Sequence, residues 1–186
     1  MAYLTQLQLW NQSFNLTGII LKDEIIIKHF VDSLAALRAE DIKVGARLLD
    51  VGTGAGFPGI PLKIARLDLN ITLVEPVRKK SSFLHFIIGH LRLENVDIFD
   101  GTLEKFMNER LPLGSFDYLT TRALKHGLIL HNGTRLLRQG GKVILYSSQP
   151  IPPADLSPNW SLVNKYTFEL PKGYGQREVS IVTPLS

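Results

Sequence analysis

The hydrophobic positions of the chain change their spacing near residue 46. Before that point, apolar side chains recur every three or four residues, which is the spacing of one face of an α-helix. The clearest run is formed by Ile26, Phe30, Leu34 and Leu37. Two helices are therefore predicted, over residues 2–10 and 23–37, with Asp23 as the N-cap of the second.

After residue 46, short apolar runs alternate with amphipathic segments. The apolar runs predict strands over residues 47–51, 71–75, 96–99, 116–120 and 142–146. The amphipathic segments predict helices over residues 59–67, 79–91, 103–107 and 124–137. We expect Gln139-Gly140-Gly141 to end the last helix. This alternation implies a parallel sheet with right-handed crossovers and helices on both faces.

The alternation stops after Tyr146, where a proline-rich loop is predicted over residues 150–158. Two further strands are expected over residues 161–170 and 178–183. Because no helical pattern separates them, we predict an antiparallel hairpin. Five parallel strands and a closing hairpin give an α/β fold with a seven-stranded, mostly parallel sheet and one reversed strand.

The strongest local pattern is segment 48–59, Leu-Leu-Asp-Val-Gly-Thr-Gly-Ala-Gly-Phe-Pro-Gly. A buried strand ends near Asp50, a glycine-rich turn follows, and Pro58 opens a helix. Glycines let a backbone turn tightly and approach a ligand closely, and a helix start offers unpaired N–H groups. The segment predicts a nucleotide-cofactor site.

Two cofactor classes compete for this turn. Gly54-x-Gly56-x-x-Gly59 matches the dinucleotide fingerprint, which is a weak signal alone. A dinucleotide turn would begin directly at the strand end, however, and Asp50 would repel a pyrophosphate. An acid there suits S-adenosylmethionine, which carries an ammonium and a sulfonium. The pattern favours a class I S-adenosylmethionine-dependent methyltransferase (Rossmann-like) over a dehydrogenase, and a turn without any ligand is the remaining alternative.

Composition narrows the class of protein further. The 186 residues suffice for one domain, and we expect residues 1–45 to form a short helical extension and residues 46–186 the methyltransferase domain, as one compact unit. The chain has no cysteine, which excludes disulfides, thiolate zinc sites and a cysteine nucleophile and suits a cytoplasmic protein. No signal peptide or membrane span is predicted. The net charge of +4 permits a polyanionic partner.

Other candidate site residues follow the predicted strands. Glu75 ends the second strand, where a carboxylate can accept hydrogen bonds from both ribose hydroxyls; the alternative is an exposed acid at a helix start. Residues 100–104 follow the third strand, where an adenine would lie against an apolar side chain such as Leu103. Arg122 follows the fourth strand, which is next to the glycine turn, and could meet cofactor or substrate. The alternative for Arg122 is a surface residue beside a helix.

Two groups of residues are more ambiguous. Tyr174, between glycines, could stack on a base and Arg177 could bind phosphate, although an ordinary hairpin turn explains them equally well. His29 and Asp32 can share a helix face. With no third ligand nearby in the sequence, we predict no metal site and favour a capping or packing role for this pair.

The sequence resembles the small-subunit rRNA guanine-N7 methyltransferases, the RsmG family, also called GidB (glucose-inhibited division protein B). The resemblance covers nearly the whole chain and is most specific over residues 50–62. The residues that carry it are Trp10-Asn11, Asn15-Leu16-Thr17, residues 29–34 and 49–62, Lys79 and Lys80 before Phe83-Leu84, Thr121-Arg122-Ala123 and Arg177.

The resemblance implies a function and a set of site residues. It implies methylation of guanine N7 at guanosine 527, in the 530 loop of 16S rRNA, with 16S rRNA or the small ribosomal subunit as partner. By position in the family motifs, Gly52 and Phe57 line the cofactor pocket, Leu103 and Glu104 contact adenine, and Arg122 belongs to the cofactor site. The predicted cofactor-binding residues are Asp50, Gly52, Thr53, Gly54, Gly56, Phe57, Glu75, Leu103, Glu104 and Arg122. The predicted RNA-binding residues are Lys79, Lys80, Tyr174 and Arg177.

The chain departs from the family pattern at two places. Relatives often carry a basic residue in place of Thr102 and Lys-Gly in place of Ser147-Ser148. Both departures remove positive charge near the expected active site. A monomer is expected, and whether the substrate is free 16S rRNA or the assembled subunit stays open.

The expected mechanism requires no general base, because guanine N7 is itself a lone-pair nucleophile. Catalysis would then consist mostly of positioning N7 in line with the methyl group, with Arg122 as a positioning residue. Two alternatives remain open at this point. One is a methyltransferase that acts on a small molecule or another RNA, and the other is a non-catalytic RNA-binding assembly factor on the same fold.

Overall fold

A seven-stranded sheet forms the centre of the computed structural model, which describes residues 2–111, 113–122, 126–152, 156 and 158–185. The strands are β1 (Arg47–Val51), β2 (Asn70–Val74), β3 (Val96–Phe99), β4 (Phe116–Thr121), β5 (Leu137–Ser147), β6 (Trp160–Glu169) and β7 (Gln176–Pro184). Their order across the sheet is β3-β2-β1-β4-β5-β7-β6.

Strand directions confirm the predicted sheet. Strands β1 to β5 pair in parallel, whereas β7 is antiparallel to both β5 and β6 and is therefore the reversed strand. In the central pair, Asp50 of β1 lies beside Thr120 of β4. The carboxyl ends of β1 and β4 thus meet at one edge, the place where open α/β sheets bind ligands.

Helices cover the sheet and extend the N-terminal region. They are α1 (Ala2–Phe14), α2 (Lys22–Ile25), α3 (Asp32–Leu34), α4 (Ala36–Ala39), α5 (Gly59–Ala65), α6 (Arg78–Leu91), α7 (Leu103–Arg110) and α8 (His126–Leu136). A π-helical segment, Ile26–Val31, joins α2 to α3, and a short 3₁₀ turn occupies Pro171–Gly173. Among the described ranges, no helix is long and apolar enough to cross a membrane.

The second N-terminal helix was predicted as one element, and it forms with two differences. It runs through α2, the π-helical segment, α3 and α4, with right-handed helical dihedrals at the junctions. The prediction of Asp23 as N-cap is wrong, because the extended residue Leu21 precedes the helix and makes no side-chain cap. Asp23 lies in the first turn instead, where a negative charge interacts favourably with the helix dipole. Its carboxylate forms an ion pair with Lys172 at 2.5 Å.

The predicted stop of the last helix at Gln139-Gly140-Gly141 is also wrong. Helix α8 ends at Leu136, and β5 begins at Leu137, which is buried and pairs with Phe116. The glycines lie inside β5, next to an irregularity in the pairing with β4, and Gly140 has a φ of +73°. Residues 124 and 125 of the predicted helix lie outside the described residues.

The N-terminal helices share a hydrophobic core with the sheet. Tyr3, Leu7 and Ile25 belong to the same buried cluster as Leu48 of β1 and Phe83 of α6. This packing holds the N-terminal region against the edge where the glycine turn follows β1. The division of the chain at residue 45 stays a prediction.

One buried charge also positions the turn region. Lys63 of α5 is only 1% exposed, and its Nζ donates to the carbonyls of Leu67 and Leu69 at 2.6 and 2.7 Å. A buried ammonium is tolerated when its donors are satisfied. These bonds fix the end of α5 against the start of β2.

Substitution of Gly59 should destabilise the fold. A Cβ atom at Gly59 would lie 2.5 Å from Leu73 Cδ2 and 2.8 Å from Asp50 Oδ2, so Gly59→Ala would force α5 away from β1 and β2. We expect a loss of about 2 kcal/mol in the free energy of unfolding, measured by urea denaturation.

Gly89→Ala is the matched control. A Cβ atom at this exposed position of α6 meets nothing within 4 Å. The substitution should therefore raise the free energy of unfolding by about 0.5 kcal/mol. Equal stability of the Gly59→Ala variant and the parent protein would contradict the proposed packing.

Candidate active site

The glycine turn after β1 depends on three residues in the left-handed region. Gly52, Gly54 and Gly56 have φ angles of +68°, +65° and +99°. The Gly52 N–H donates to the carbonyl of Val74 at 2.9 Å, which ties the turn to the end of β2. At Gly56 a Cβ atom would lie 2.6 Å from both Ile60 Cδ1 and the Tyr3 hydroxyl. Only glycine satisfies both the conformation and the close approach at this position.

Asp50 is buried inside this turn. Its Oδ2 accepts hydrogen bonds from Thr53 Oγ1 at 2.6 Å and from the Gly59 N–H at 2.8 Å. Burial raises the pKa of Asp50 to about 6, against the opposing effect of these two hydrogen bonds. Its Oδ1 and the hydroxyl of Thr121 are buried with no hydrogen-bond partner among the described residues. Asp50 therefore holds the turn closed, and its contact with a cationic ligand stays a prediction.

Glu75 links the turn to the next strand. It is 3% exposed; Oε2 accepts from the Gly54 N–H at 2.7 Å and Oε1 accepts from the Val77 N–H at 2.9 Å. A carboxylate has about four acceptor positions, so these two bonds leave capacity for further donors. The ribose role of Glu75 stays a prediction that this arrangement permits.

The loop after β3 lies against Glu75. The Gly101 N–H donates to the Glu75 carbonyl at 3.1 Å. Thr102 caps α7 by accepting from the Lys105 N–H at 3.3 Å, so Leu103 and Glu104 form the first turn of that helix. Leu103 is buried and Glu104 is exposed. The predicted adenine and ribose residues are thus brought to neighbouring positions.

Arg122 connects the end of β4 with the N-terminal region. Its NH1 donates to the Lys28 carbonyl at 3.0 Å, and its NH2 donates to His29 Nδ1 at 2.8 Å. Its Cζ lies 5.4 Å from the centre of the Phe57 ring, within the range of a cation–π contact. Sequence reasoning placed Arg122 near the site but missed these partners, which are more than ninety positions away along the chain.

His29 is a neutral acceptor in this network. A guanidinium can only donate, so Nδ1 carries no proton and Nε2–H donates to Thr17 Oγ1 at 2.9 Å. Burial and the nearby charge of Arg122 lower the pKa of His29 to about 3. The ring also stacks on Phe57 with centroids 4.7 Å apart. Among the described residues, no group of three or more His, Cys, Asp or Glu side chains could hold a metal ion.

Tyr3 is a site residue that the sequence did not reveal. Its hydroxyl donates to the carbonyl of Ala55, and its ring stacks on Phe57 with centroids 5.3 Å apart and planes 8° apart. Its only signal in the sequence was a position on the buried face of the first helix. Phe57 therefore lies between Tyr3 and His29, both from the N-terminal region.

A polar cleft of about 280 Å³ opens beside this network. It is lined by Asp32, His29 and Arg122 and, from the far end of the chain, by Arg177 and the Tyr146–Ser148 segment. Tyr174 lies near its rim, where Lys28 Nζ is 4.6 Å from the Tyr174 ring centre. The structure thus brings Arg122 and Arg177 into one cleft and places Tyr174 against Lys28 of its wall. The sequence did not indicate that Lys28 and Tyr146 line the cleft, because neither residue belongs to a recognisable motif.

Lys79 and Lys80 occupy a different place from the other predicted RNA-binding residues. They lie in the first turn of α6, which follows the end of β2. They do not line the cleft. They are nevertheless at the same edge of the sheet, because β2 and β4 flank β1 in parallel.

Comparison with known proteins identifies the family. The protein-family model described as GidB, rRNA small subunit methyltransferase G, matches residues 1–151 of this chain. Proteins named ribosomal RNA small subunit methyltransferase G from Clostridium beijerinckii and Caldanaerobacter subterraneus subsp. tengcongensis are 41% identical over 128 residues and 38% identical over 143 residues. The matches cover 69% and 76% of this chain but 54% and 60% of those proteins. The chain spans little more than half the length of these relatives.

Solved structures confirm the fold. A SAM-dependent methyltransferase from Aquifex aeolicus has a TM-score of 0.62 at 17% identity, over 86% of this chain and 92% of that one. TrmN from Thermus thermophilus has a TM-score of 0.65 at 19% identity, over 82% of this chain and 48% of that one. At such identities the likeness concerns the fold alone.

The family match covers most of the candidate site. Residues 1–151 include the glycine turn, Glu75, Arg122 and every wall of the cleft except Arg177. The resemblance inferred from the sequence motifs is confirmed. This chain belongs to the rRNA small subunit methyltransferase G family.

Proposed function

We propose that this protein transfers a methyl group from S-adenosylmethionine to guanine N7 in the 530 loop of 16S rRNA, in the cytoplasm. The observation that carries the proposal is the family match over residues 1–151. The relatives' name supports RNA of the small ribosomal subunit as the substrate.

The glycine turn fits S-adenosylmethionine. The carboxylate oxygen Asp50 Oδ1 and the Thr121 hydroxyl are buried and unpartnered within the described part of the chain, at the ends of adjacent strands. Such groups cost free energy until a donor or a positive charge compensates them. A cationic ligand, acting directly or through an ordered water, would do so here, whereas a pyrophosphate would add repulsion.

The residues expected to hold the cofactor follow the sheet edge in order. Gly52, Thr53, Gly54, Gly56 and Phe57 would surround its amino-acid end. Glu75 would accept from the ribose, and Leu103 and Glu104 would border the adenine. When bound, S-adenosylmethionine supplies a methyl group activated by its sulfonium.

The remaining side chains act by positioning. Guanine N7 has a free lone pair at neutral pH, so no residue needs to remove a proton. His29 is neutral and both of its ring nitrogens are engaged, which fits an orienting role rather than that of a base. Arg122 would hold the N-terminal wall of the cleft against Phe57 of the cofactor turn. Alignment of this kind can contribute several powers of ten to the rate.

Basic and aromatic side chains would hold the RNA around this centre. Arg177 lines the cleft, Tyr174 contacts Lys28 of the cleft wall, and Lys79 and Lys80 lie along the same sheet edge. With a net charge of +4, the protein would bind phosphates with an affinity that falls steeply as salt rises. Weak salt dependence would instead favour a small-molecule substrate.

Methyl transfer to small ribosomal subunits tests the function directly. Subunits lacking the 530-loop methyl group, incubated with methyl-labelled S-adenosylmethionine, should acquire label at guanine N7 in that loop. Subunits that already carry the group are the control and should stay unlabelled. Cofactor binding without transfer to subunits or naked 16S rRNA would contradict the proposal, and RNA binding without cofactor binding would indicate an assembly factor.

Removal of Arg122 should impair catalysis more than folding. We expect Arg122→Ala to lower kcat/KM for methyl transfer about 100-fold, because the cleft wall and Phe57 lose their common contact. Arg122→Lys should rescue only partly, since an ammonium lacks the forked geometry that reaches both the Lys28 carbonyl and His29. Arg110→Ala, at the exposed end of α7, is the control. Full activity of Arg122→Ala would refute this role.

Cofactor affinity should depend on the protonation of Asp50. The pKa of the buried carboxyl is about 6, so below that pH it becomes neutral and loses its attraction for a cation. We expect the affinity for S-adenosylmethionine, measured by calorimetry from pH 5 to 7, to weaken toward acid. Asp50→Asn should bind weakly, with an affinity that changes little between pH 5 and 7. If the variant still lost affinity toward acid as the parent protein does, the assignment to Asp50 would be contradicted.

The stability of the ligand-free protein should depend on pH in the opposite sense from cofactor affinity, and this dependence serves as a second check. The pKa of Asp50 is raised in the folded state, so its stabilising contribution is full below about pH 4 and is lost as pH rises through 6. A rise from 3.8 to about 6 corresponds to about 3 kcal/mol. Asp50→Asn should therefore be no less stable than the parent protein at pH 8, although it binds the cofactor worse.

A further inference from the structure

Among the described residues that line the polar cleft, one is acidic, and several are basic. Asp32 is 5% exposed, and its Oδ2 meets Arg122 NH1 at 3.4 Å, a long contact for an ion pair. Its Oδ1 makes no hydrogen bond within the part of the chain that the structure describes. Because Arg122 engages only Oδ2, the acceptor capacity of the carboxylate is incompletely used. Burial raises the pKa of Asp32, and the charges of Arg122 and Arg177 oppose that rise. A buried carboxylate in this state favours a ligand that donates hydrogen bonds.

Arg122 is not the group that would read a base here. Its NH1 and NH2 are directed to the Lys28 carbonyl and to His29 Nδ1. An arginine that read guanine in the usual way would also occupy N7 and O6, and N7 must stay free to accept a methyl group. The base-reading group must therefore contact a different edge of the base.

The cleft has the size for one nucleobase. Its volume of about 280 Å³ lies near the lower limit of small-ligand pockets, ~300 Å³. It adjoins the cofactor turn, because His29 in its wall stacks on Phe57. Enzymes that modify a base commonly take it out of its stack and read its Watson–Crick edge in such a pocket.

The chemistry of a carboxylate selects guanine among the four bases. An ionised carboxylate only accepts hydrogen bonds. The guanine Watson–Crick edge offers two adjacent donors, N1–H and the N2 amino group. Adenine and cytosine each place an acceptor next to their amino donor, and uracil has carbonyls on both sides of N3–H. Only guanine meets both oxygens of a carboxylate without repulsion.

We propose that the target guanine binds in this cleft with its Watson–Crick edge on Asp32, which accepts from N1–H and from the N2 amino group. This proposal rests on the proposed function and assigns the base specificity to one residue. N7 lies on the other side of the purine and stays free. Arg177, which also lines the cleft, then meets the ribose-phosphate part of the nucleotide.

Nucleotide binding tests the assignment without requiring turnover. In the presence of S-adenosylhomocysteine, we expect guanosine 5′-monophosphate to bind about tenfold more tightly than inosine 5′-monophosphate, which lacks the N2 amino group and so one charge-assisted bond. Adenosine 5′-monophosphate should bind more weakly still. Equal affinity for the guanosine and inosine nucleotides in the parent protein would overturn the proposal, whatever any variant does.

The Asp32→Asn variant tests whether Asp32 is the residue that recognises guanine. In this variant the preference for guanosine over inosine 5′-monophosphate should fall to within about twofold, and a retained tenfold preference would overturn the assignment. The matched control is Asp41→Asn, the same change at an exposed residue of the N-terminal region, which should keep the full preference. Thermal melting of both variants verifies folding.

Comparison with methyl transfer separates this proposal from the function on which it rests. Transfer to small subunits without a guanosine preference in binding would leave the function standing and remove the base pocket. A guanosine preference that Asp32→Asn abolishes, with no transfer to rRNA, would leave a guanine pocket in a protein of another activity.

Discussion

The interaction on which the site depends is the pair of hydrogen bonds that the Arg122 guanidinium donates to the N-terminal region. One guanidinium joins three segments that are distant in the sequence: the end of β4, the π-helical segment with Lys28 and His29, and Phe57 of the glycine turn. The planar, permanently charged group suits this role because its donors are fixed relative to one another. His29 has to be neutral to accept from it, and burial together with the guanidinium's own charge lowers the pKa of His29 to about 3. The interaction thus sets the protonation state that it requires.

The glycine turn is held by two carboxylates that the protein buries at a cost. Asp50 accepts from Gly59 and Thr53, while Glu75 accepts from Gly54 and from the start of α6. Each acid satisfies backbone donors of a loop that has few other ways to satisfy them. The cost is visible at Asp50, whose pKa is raised by desolvation and whose Oδ1 has no partner among the described residues. A folded state that carries this cost is better suited to a bound cation than to an empty turn.

Local patterns predicted the parts of this structure that local physics determines. Apolar runs and their spacing predicted all seven strands, and the glycine turn could be read because its left-handed backbone demands particular residues. Errors occurred at the ends of elements. Asp23 was predicted as a cap, but the helix begins one residue earlier, at Lys22, which places Asp23 in its first turn. The Gly140-Gly141 pair resembles a helix stop, yet pairing of Leu137 with Phe116 starts the strand earlier.

The same reason explains what the sequence revealed about the site. The residues predicted to bind the cofactor follow strand ends, so their order along the sheet was predictable. The contacts of His29 and Asp32 depend instead on Arg122, about ninety residues away. Phe57 is the residue where both parts meet, since it stacks with Tyr3 and with His29 and belongs to the glycine turn. A ligand that shifted Phe57 would have to move His29 or lose the stack, and His29 cannot move without disturbing Arg122 and the cleft. A cofactor and a base bound as proposed above would therefore act on the same contacts, and any effect of one on the affinity of the other would have to be reciprocal.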